Sequence, residues 1–74
     1  MTIQPVTNQF TIIRRKLVES RTGYSRSTIY LKKSEGLFPS PVKIGANSVG
    51  WLEHEINAII AARVAGKSDD EIKV

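Results

Sequence analysis

Polar donors are concentrated in one stretch of the chain, residues 23–36, where a Ser-Arg-Ser-Thr run opens a short basic segment. Hydroxyls and a guanidinium at the start of a helix, beside the free backbone N–H groups of its first turn, are suited to phosphates and base edges. The stretch therefore favours contact with a nucleic acid over catalysis. The candidate contacts in it are Ser25, Arg26, Ser27, Thr28, Tyr30, Lys32 and Lys33.

Residues for catalysis or metal binding are scarce in the rest of the chain. The single histidine, His54, stands between Glu53 and Glu55, and the chain has no Cys, so the imidazole lacks the partners of a zinc site. No Ser, His and acid have the spacing of a catalytic triad, and no glycine-rich phosphate loop precedes a helix. We therefore expect no enzyme activity, no metal and no cofactor.

Two short helices are predicted around the donor-rich stretch. Residues 16–22 form the first, which Gly23 ends in a left-handed conformation. Ser25 is the predicted N-cap of the second helix, with Tyr24 positioned to pack on Ile29 as a hydrophobic staple, and Gly36 ends it. Two helices joined by a tight glycine-containing turn are typical of a helix-turn-helix.

The phase of the second helix depends on which apolar residue is buried. Ile29 and Leu31 lie about 160–200° apart around the helix axis, so they cannot both face one small core. The staple favours Ile29 as the buried residue, which leaves Leu31 near the exposed side, against a thymine methyl or a neighbouring protein. For Tyr30, partial burial with a hydrated hydroxyl and contact with a phosphate both remain open.

The middle of the chain predicts a small β structure. Residues 10–13 form a β-prone run, and Phe38 precedes two prolines that exclude helix. Two further β-prone runs, residues 42–45 and 49–52, flank a polar turn and predict a hairpin. The only tryptophan, Trp51, is expected to close the core beneath the hairpin rather than to stack on a ligand.

The most regular helix is predicted for residues 52–65. Its acidic first turn and Arg63 in its last turn match the helix dipole. Gly66 ends it, and Ser68 opens a capping-box pattern followed by at most one frayed turn. We interpret this helix as scaffold rather than site. The apolar stripe expected to face the core is Leu52, Ile56, Ile59, Ile60 and Val64.

Length and composition limit the chain to one domain. At 74 residues it buries only about 60% of its unfolded surface. We predict a flexible tail at residues 1–9, a domain at 10–66 and a second tail at 67–74. The absence of Cys fits an intracellular protein. With no run near the ~20 residues of a membrane span and no leader evident, we expect a cytoplasmic protein.

The net charge of +4 is unevenly distributed. Between residues 14 and 33 there are seven basic residues against one acid, Glu19, whereas five of the seven acids follow residue 50. This asymmetry favours a polyanion partner for the first half of the chain. A solvated basic face explains the same charges, and the composition does not separate the two interpretations.

Four separated motifs resemble, in order, the AlpA family of phage and prophage regulators, which are small relatives of the MerR and excisionase DNA-binding domains. They are residues 22–30 (Thr-Gly-Tyr-Ser-Arg-Ser-Thr-Ile-Tyr), 36–45 (Gly-Leu-Phe-Pro-Ser-Pro-Val-Lys-Ile-Gly), 49–52 with Trp51, and 55–56. The resemblance covers roughly residues 11 to 65. Tyr24 stands where the family has Leu. Arg21 stands where an apolar residue is common, so we expect either a loosely packed first helix or an Arg21–phosphate contact.

The resemblance implies a mainly α fold with a small β-hairpin, a winged helix-turn-helix. The helix from Ser25 would enter the major groove, and the hairpin turn with Asn47 and Ser48 would be a wing that reaches the backbone or minor groove. Family members activate an integrase gene or act as excisionases. Excisionases bind neighbouring sites side by side, bend DNA and recruit integrase without doing chemistry.

The predicted function is sequence-specific binding of double-stranded DNA for an integrated mobile element. Arg26 is the candidate for a bidentate guanine contact. Transcription regulator and excision factor both remain open, as does self-association on adjacent sites. An alternative of another class is a protein-interaction module that uses exposed Leu31, Tyr30 and Leu37. The candidate phosphate contacts are Arg14, Arg15, Lys32, Lys33 and Lys43.

Overall fold

The computed structural model describes residues 10–73, and the tail predicted for residues 1–9 lies outside them. The described chain contains three antiparallel strands, ordered β1-β3-β2, and four helices. The predicted fold class is confirmed, and the arrangement is compatible with a winged helix-turn-helix. The elements are β1 (Ile12–Ile13), α1 (Arg15–Thr22), α2 (Arg26–Ser34), β2 (Val42–Gly45), β3 (Ser48–Leu52), α3 (Glu53–Val64) and α4 (Asp69–Ile72).

The turn between α1 and α2 is built as the sequence predicts. Gly23 has φ 78°, in the left-handed region, and its N–H donates to the Glu19 carbonyl at 2.8 Å. The Thr22 hydroxyl donates to the Val18 carbonyl at 2.8 Å and accepts from the Tyr24 N–H at 3.2 Å. These bonds satisfy carbonyl and amide groups that the end of α1 would leave free, and they hold the turn tight.

Strand β3 lies at the centre of the sheet and pairs with both neighbours. The predicted hairpin is present, with Ala46 and Asn47 in its turn. The β-prone run near the N-terminus becomes β1, in which Ile13 pairs with Trp51. The Glu53 N–H donates to the Thr11 carbonyl at 2.7 Å, so the start of α3 is tied to the same edge.

The core forms where α1, α2 and α3 meet the sheet. Trp51 and Phe38 are its largest fully buried side chains, and the burial of Trp51 confirms the prediction made for it. The indole N–H of Trp51 donates to the Pro39 carbonyl at 3.1 Å, so the buried polar group is satisfied. The smaller fully buried members are Ile29, Ile56 and Val18.

Two apolar residues differ from the prediction in their burial. Leu37, proposed as an exposed contact, is buried in the core, because the connector after α2 turns it inward beside Phe38. Val64, the last residue of the predicted stripe, is 83% exposed. It stands at the end of α3, just before the chain reverses at Gly66, which has φ 77°.

The C-terminal segment contributes to the core, although its sequence predicts a tail. Ser68 and Glu71 form the predicted capping box, and the turn of helix that follows them is α4. Ile72 at the end of α4 is buried and joins the core cluster. A four-residue helix has little stability of its own, so this burial is what holds it against the domain.

Replacing Gly50 by Ala should weaken the sheet. A Cβ at Gly50 would lie 3.0 Å from the Ile13 carbonyl oxygen and would collide with Cγ2 of Ile12, so β1 would have to move away from β3. We expect the free energy of unfolding to fall by about 1–3 kcal/mol, measured by urea denaturation. Gly45→Ala is the control, because its Cβ would meet Ser48 Cβ at an ordinary 3.5 Å. Equal losses in the two variants would contradict this explanation.

Candidate nucleic-acid interface

Helix α2 presents its first turn to solvent and its middle to the core. Ser25, Arg26 and Ser27 are exposed, and Thr28 is half-buried. Ile29 has 0% exposure whereas Leu31 has 55%, which confirms the predicted phase of the helix. The burial of Ile29 therefore determines that the first turn, with Arg26 on it, faces outward.

The hydroxyls at the start of α2 form a small network around the N-cap. Ser25 Oγ accepts a hydrogen bond from the Thr28 N–H at 3.3 Å, as predicted for a capping residue. The same Oγ lies 2.9 Å from Thr28 Oγ1 and 3.2 Å from Ser27 Oγ, in bonds where either oxygen can donate. Hydroxyl rotors can reorient, so the network can offer either donors or lone pairs to an outside ligand.

Among residues 10–73, no ion pair holds the guanidinium of Arg26. Lys33 and Lys43 are exposed and Lys32 is half-buried, and none of these three takes part in the recorded ion pairs of that range either. The positive charges on α2 and β2 are thus left uncompensated by neighbouring carboxylates. Uncompensated cations are what an electrostatic contact with phosphates requires.

Tyr30 is partly withdrawn from the surface. Its ring packs edge-on against Trp51, with centroids 6.2 Å apart and an interplanar angle of 61°. It is half-buried against the core. The partial burial that the sequence analysis considered is therefore present, and a phosphate contact of its hydroxyl stays a prediction.

Several of the predicted DNA contacts lie close together between the start of α1 and the hairpin turn. They line a cleft of about 160 Å³. The sequence separates its two sides by more than thirty positions, and only the fold brings them together. Lys16 also lines this cleft, and the Arg-Arg-Lys run was the signal that could have identified it. The six lining residues are Arg14, Arg15, Lys16, Asn47, Ser48 and Val49.

The two arginines of this cleft differ in their availability. Arg15 Nε donates to Glu19 Oε2 at 2.9 Å, one helical turn further along α1. Arg14 is exposed at the N-cap position of α1 and has no side-chain capping bond. Arg14 is therefore the freer of the two positive charges.

Arg21 makes polar contacts with α3, and the phosphate contact that the sequence also allows stays a prediction. Its Nη2 lies 3.0 Å from Glu53 Oε2, and its Nη1 donates to Asn57 Oδ1 at 3.4 Å. Both partners are on α3, so Arg21 links the end of α1 to the start of the scaffold helix. At position 21, these polar contacts take the place of the apolar packing expected from the residue common there in the family.

Residues 10–73 contain no cluster of three or more His, Cys, Asp or Glu side chains that could hold a metal ion. None of the helices described there has the length and apolar character needed to cross a membrane.

Comparison with known proteins places residues 11–64 within the family model of the prophage CP4-57 regulatory protein (AlpA). The uncharacterized protein ORF88 of Enterobacteria phage P4 is 47% identical over 45 residues, which cover 61% of this chain and 51% of that protein, about half its length. The DNA-binding transcriptional activator AlpA of Escherichia coli (strain K12) is 34% identical over 58 residues, covering 70% of this chain and 83% of the relative. No solved structure matches the chain.

Removing the N-cap of α2 should destabilise the domain. Ser25→Ala leaves the Thr28 N–H without its acceptor, and we expect a loss of about 1 kcal/mol in the free energy of unfolding. Ser25→Asp supplies a new acceptor at the cap and should retain most of the stability. Thermal unfolding followed by circular dichroism measures both. Ser20→Ala, an exposed position within α1, is the control, and a Ser25→Ala melting curve that matches it would contradict the capping role.

Proposed function

We propose that this chain, which belongs to the AlpA family, binds double-stranded DNA sequence-specifically and regulates an integrated phage or mobile element from the cytoplasm. The relative in Escherichia coli is named a DNA-binding transcriptional activator. The proposal extends that activity to this chain. No step of it requires an enzyme reaction or a cofactor.

The observation that carries the proposal is the orientation of α2. Ile29 and the ring contact between Tyr30 and Trp51 attach the helix to the core. Its capped first turn and Arg26 are left facing solvent. In a helix-turn-helix, the N-terminal residues of the second helix contact base edges in the major groove. Arg26 is proposed to contact a guanine through O6 and N7, and Ser25, Ser27 and Thr28 to contact phosphates or neighbouring bases.

Phosphate contacts are proposed on both sides of that helix. Lys32 and Lys33 lie in its last turns, and Lys43 lies on the exposed edge strand β2. A further phosphate contact is proposed in the cleft between the start of α1 and the hairpin turn. Its lining residues include Arg14, Arg15, Lys16, Asn47 and Ser48. Its combination of cations and small polar side chains suits a backbone contact rather than base discrimination.

The biological role is proposed to be regulation of integrase expression, assistance in excision, or both. In either role, binding of neighbouring sites by several copies and contact with integrase are part of the proposal. A purified excision reaction with integrase separates the roles. An excision yield that rises with this protein supports the excision role, and an unchanged yield beside altered transcription from the integrase promoter supports the regulatory one.

The alternative, a protein-interaction module, loses much of its proposed surface. Leu37 is buried and Tyr30 is half-buried, so Leu31 is the remaining exposed member of the three. A single exposed apolar side chain is common on soluble proteins and needs no partner to explain it.

DNA binding should weaken steeply as salt rises. If five to seven phosphates are neutralised, the slope of log K against log salt should be about −4.5 to −6. Fluorescence anisotropy with a cognate duplex at several salt concentrations measures this slope. A flat response would exclude the DNA-binding proposal.

Two substitutions should separate base recognition from backbone attraction. Arg26→Ala should reduce discrimination between cognate and unrelated duplexes by about 1–3 kcal/mol, because it removes a proposed base contact. Lys43→Ala should weaken binding to all duplexes alike and reduce the salt slope by about one. Lys67→Ala removes the same charge outside the proposed interface and is the control. Equal effects of Arg26→Ala on both duplexes would contradict its assignment.

A further inference from the structure

Arg63, in the last turn of α3, has a guanidinium whose two edges face different surroundings. Its Nη1 donates to Asp69 Oδ1 at 3.0 Å. Its Nε and Nη2 are buried and find no hydrogen-bond partner at ordinary distance within residues 10–73. Buried donors without a partner are unfavourable, so the bond to Asp69 must help to keep the group in this position.

Tyr24 and Arg63 are neighbours in the fold although the sequence separates them widely. The two residues line the same cavity of about 290 Å³, between the end of α1 and α3. The hydrogen bond that Arg63 donates to Asp69 is the largest cause that raises the pKa of Arg63 above its ordinary value, and Tyr24 contributes to the same shift. Arg63 thus has an acceptor on α4 and shares a cavity with the Tyr24 side chain.

Tyr24 is directly connected to the proposed DNA-binding element. It precedes the N-cap residue Ser25 in the chain. Its ring also packs on Phe38, with centroids 6.0 Å apart and an interplanar angle of 57°. A displacement of Tyr24 would therefore move the start of α2, where the proposed base contacts lie.

Asp69 is held in place by α4. The Ser68 N–H donates to Glu71 Oε1 at 2.8 Å, and the Glu71 N–H donates to Ser68 Oγ at 3.4 Å. Ile72 anchors the other end of α4 in the core. These residues all follow position 64, where the family match ends, so the contact belongs to this chain's own C-terminal segment.

We propose that Arg63 is a positioning residue that links Asp69 of α4 to Tyr24 and thereby fixes the start of α2 for DNA. The proposal rests on the proposed function for its effect on binding, and on the contacts above for the link itself. Without the Asp69 carboxylate, the guanidinium loses the one ion pair that holds it within residues 10–73 and can turn towards water. Tyr24 then loses one of its flanking groups, and the first turn of α2 becomes less ordered.

The test compares Asp69→Asn with the charge-matched control Asp70→Asn. Asp70 has a side chain 94% exposed and lies 4.0 Å from Lys73, so its substitution changes the net charge equally without touching Arg63. We expect Asp69→Asn to weaken binding to the cognate duplex about three- to tenfold relative to the control. Binding to an unrelated duplex should be equal in the two variants. Asp69→Glu, which retains the charge, should restore cognate binding.

Amide hydrogen exchange of residues 24–29 provides a measurement that does not depend on DNA. It should become faster in Asp69→Asn and stay unchanged in Asp70→Asn, whereas exchange in β3 should be the same in both. Arg63→Lys keeps a cation but loses the planar fork, and should also speed exchange at residues 24–29. It serves as the second variant if Asp69→Asn does not fold.

The outcomes separate this link from the proposed function. If the unmodified protein binds no DNA but Asp69→Asn still speeds exchange at residues 24–29, the DNA proposal fails and the link stands. If the unmodified protein binds DNA and the two Asn variants agree in affinity and exchange, the link is overturned. Faster exchange throughout the folded chain in Asp69→Asn and Arg63→Lys alike would assign both residues to general stability, and would also overturn it.

Discussion

The position of the proposed DNA-binding helix depends on the burial of Trp51. This one side chain lies on the central strand β3, meets the ring of Tyr30 from α2 at 6.2 Å and donates its N–H to the Pro39 carbonyl. It therefore joins the sheet, the helix and the connector that follows the helix. In a domain of this size, so large a buried aromatic supplies much of the apolar area that excludes water. The outward direction of Arg26 follows from this packing.

The ion pairs divide the charges of the protein into two groups. Arg15, Arg21 and Arg63 pair with carboxylates, whereas the cations of the proposed interface other than Arg15 enter no ion pair within residues 10–73. Exposed pairs of this kind each contribute only about 0–1 kcal/mol to stability. Within residues 10–73 no carboxylate pairs with the cations of α2, so their positive charge remains available to phosphates. Apart from Arg15, the cations of the proposed interface have no carboxylate partner in the described chain, whereas Arg21 and Arg63, outside it, do.

Local sequence patterns predicted most of the fold because their causes are local. Gly23 and Ser25 bracket a turn through backbone conformation and capping, which need no distant contact. The alternation around Asn47 predicted the hairpin in the same way. The predictions that were wrong concern whether an apolar side chain is buried in the core. Val64 continues the apolar stripe of α3 by periodicity, yet it is exposed because no other element within residues 10–73 packs over it at the end of that helix. Ile72 is buried in the core although it lies outside the predicted domain.

The sequence by itself determined the helix-turn-helix, the hairpin, the capped start of α2 and the set of candidate donors, since each depends on neighbours within a few positions. Only the tertiary structure decided which donors are available. It assigned Arg21 to Glu53, left Arg26 outside the ion pairs of the described chain, buried Leu37 and brought Arg14 to the same cleft as Asn47. These outcomes depend on how elements distant in the chain pack together, and neither hydrophobic period nor charge content specifies that packing.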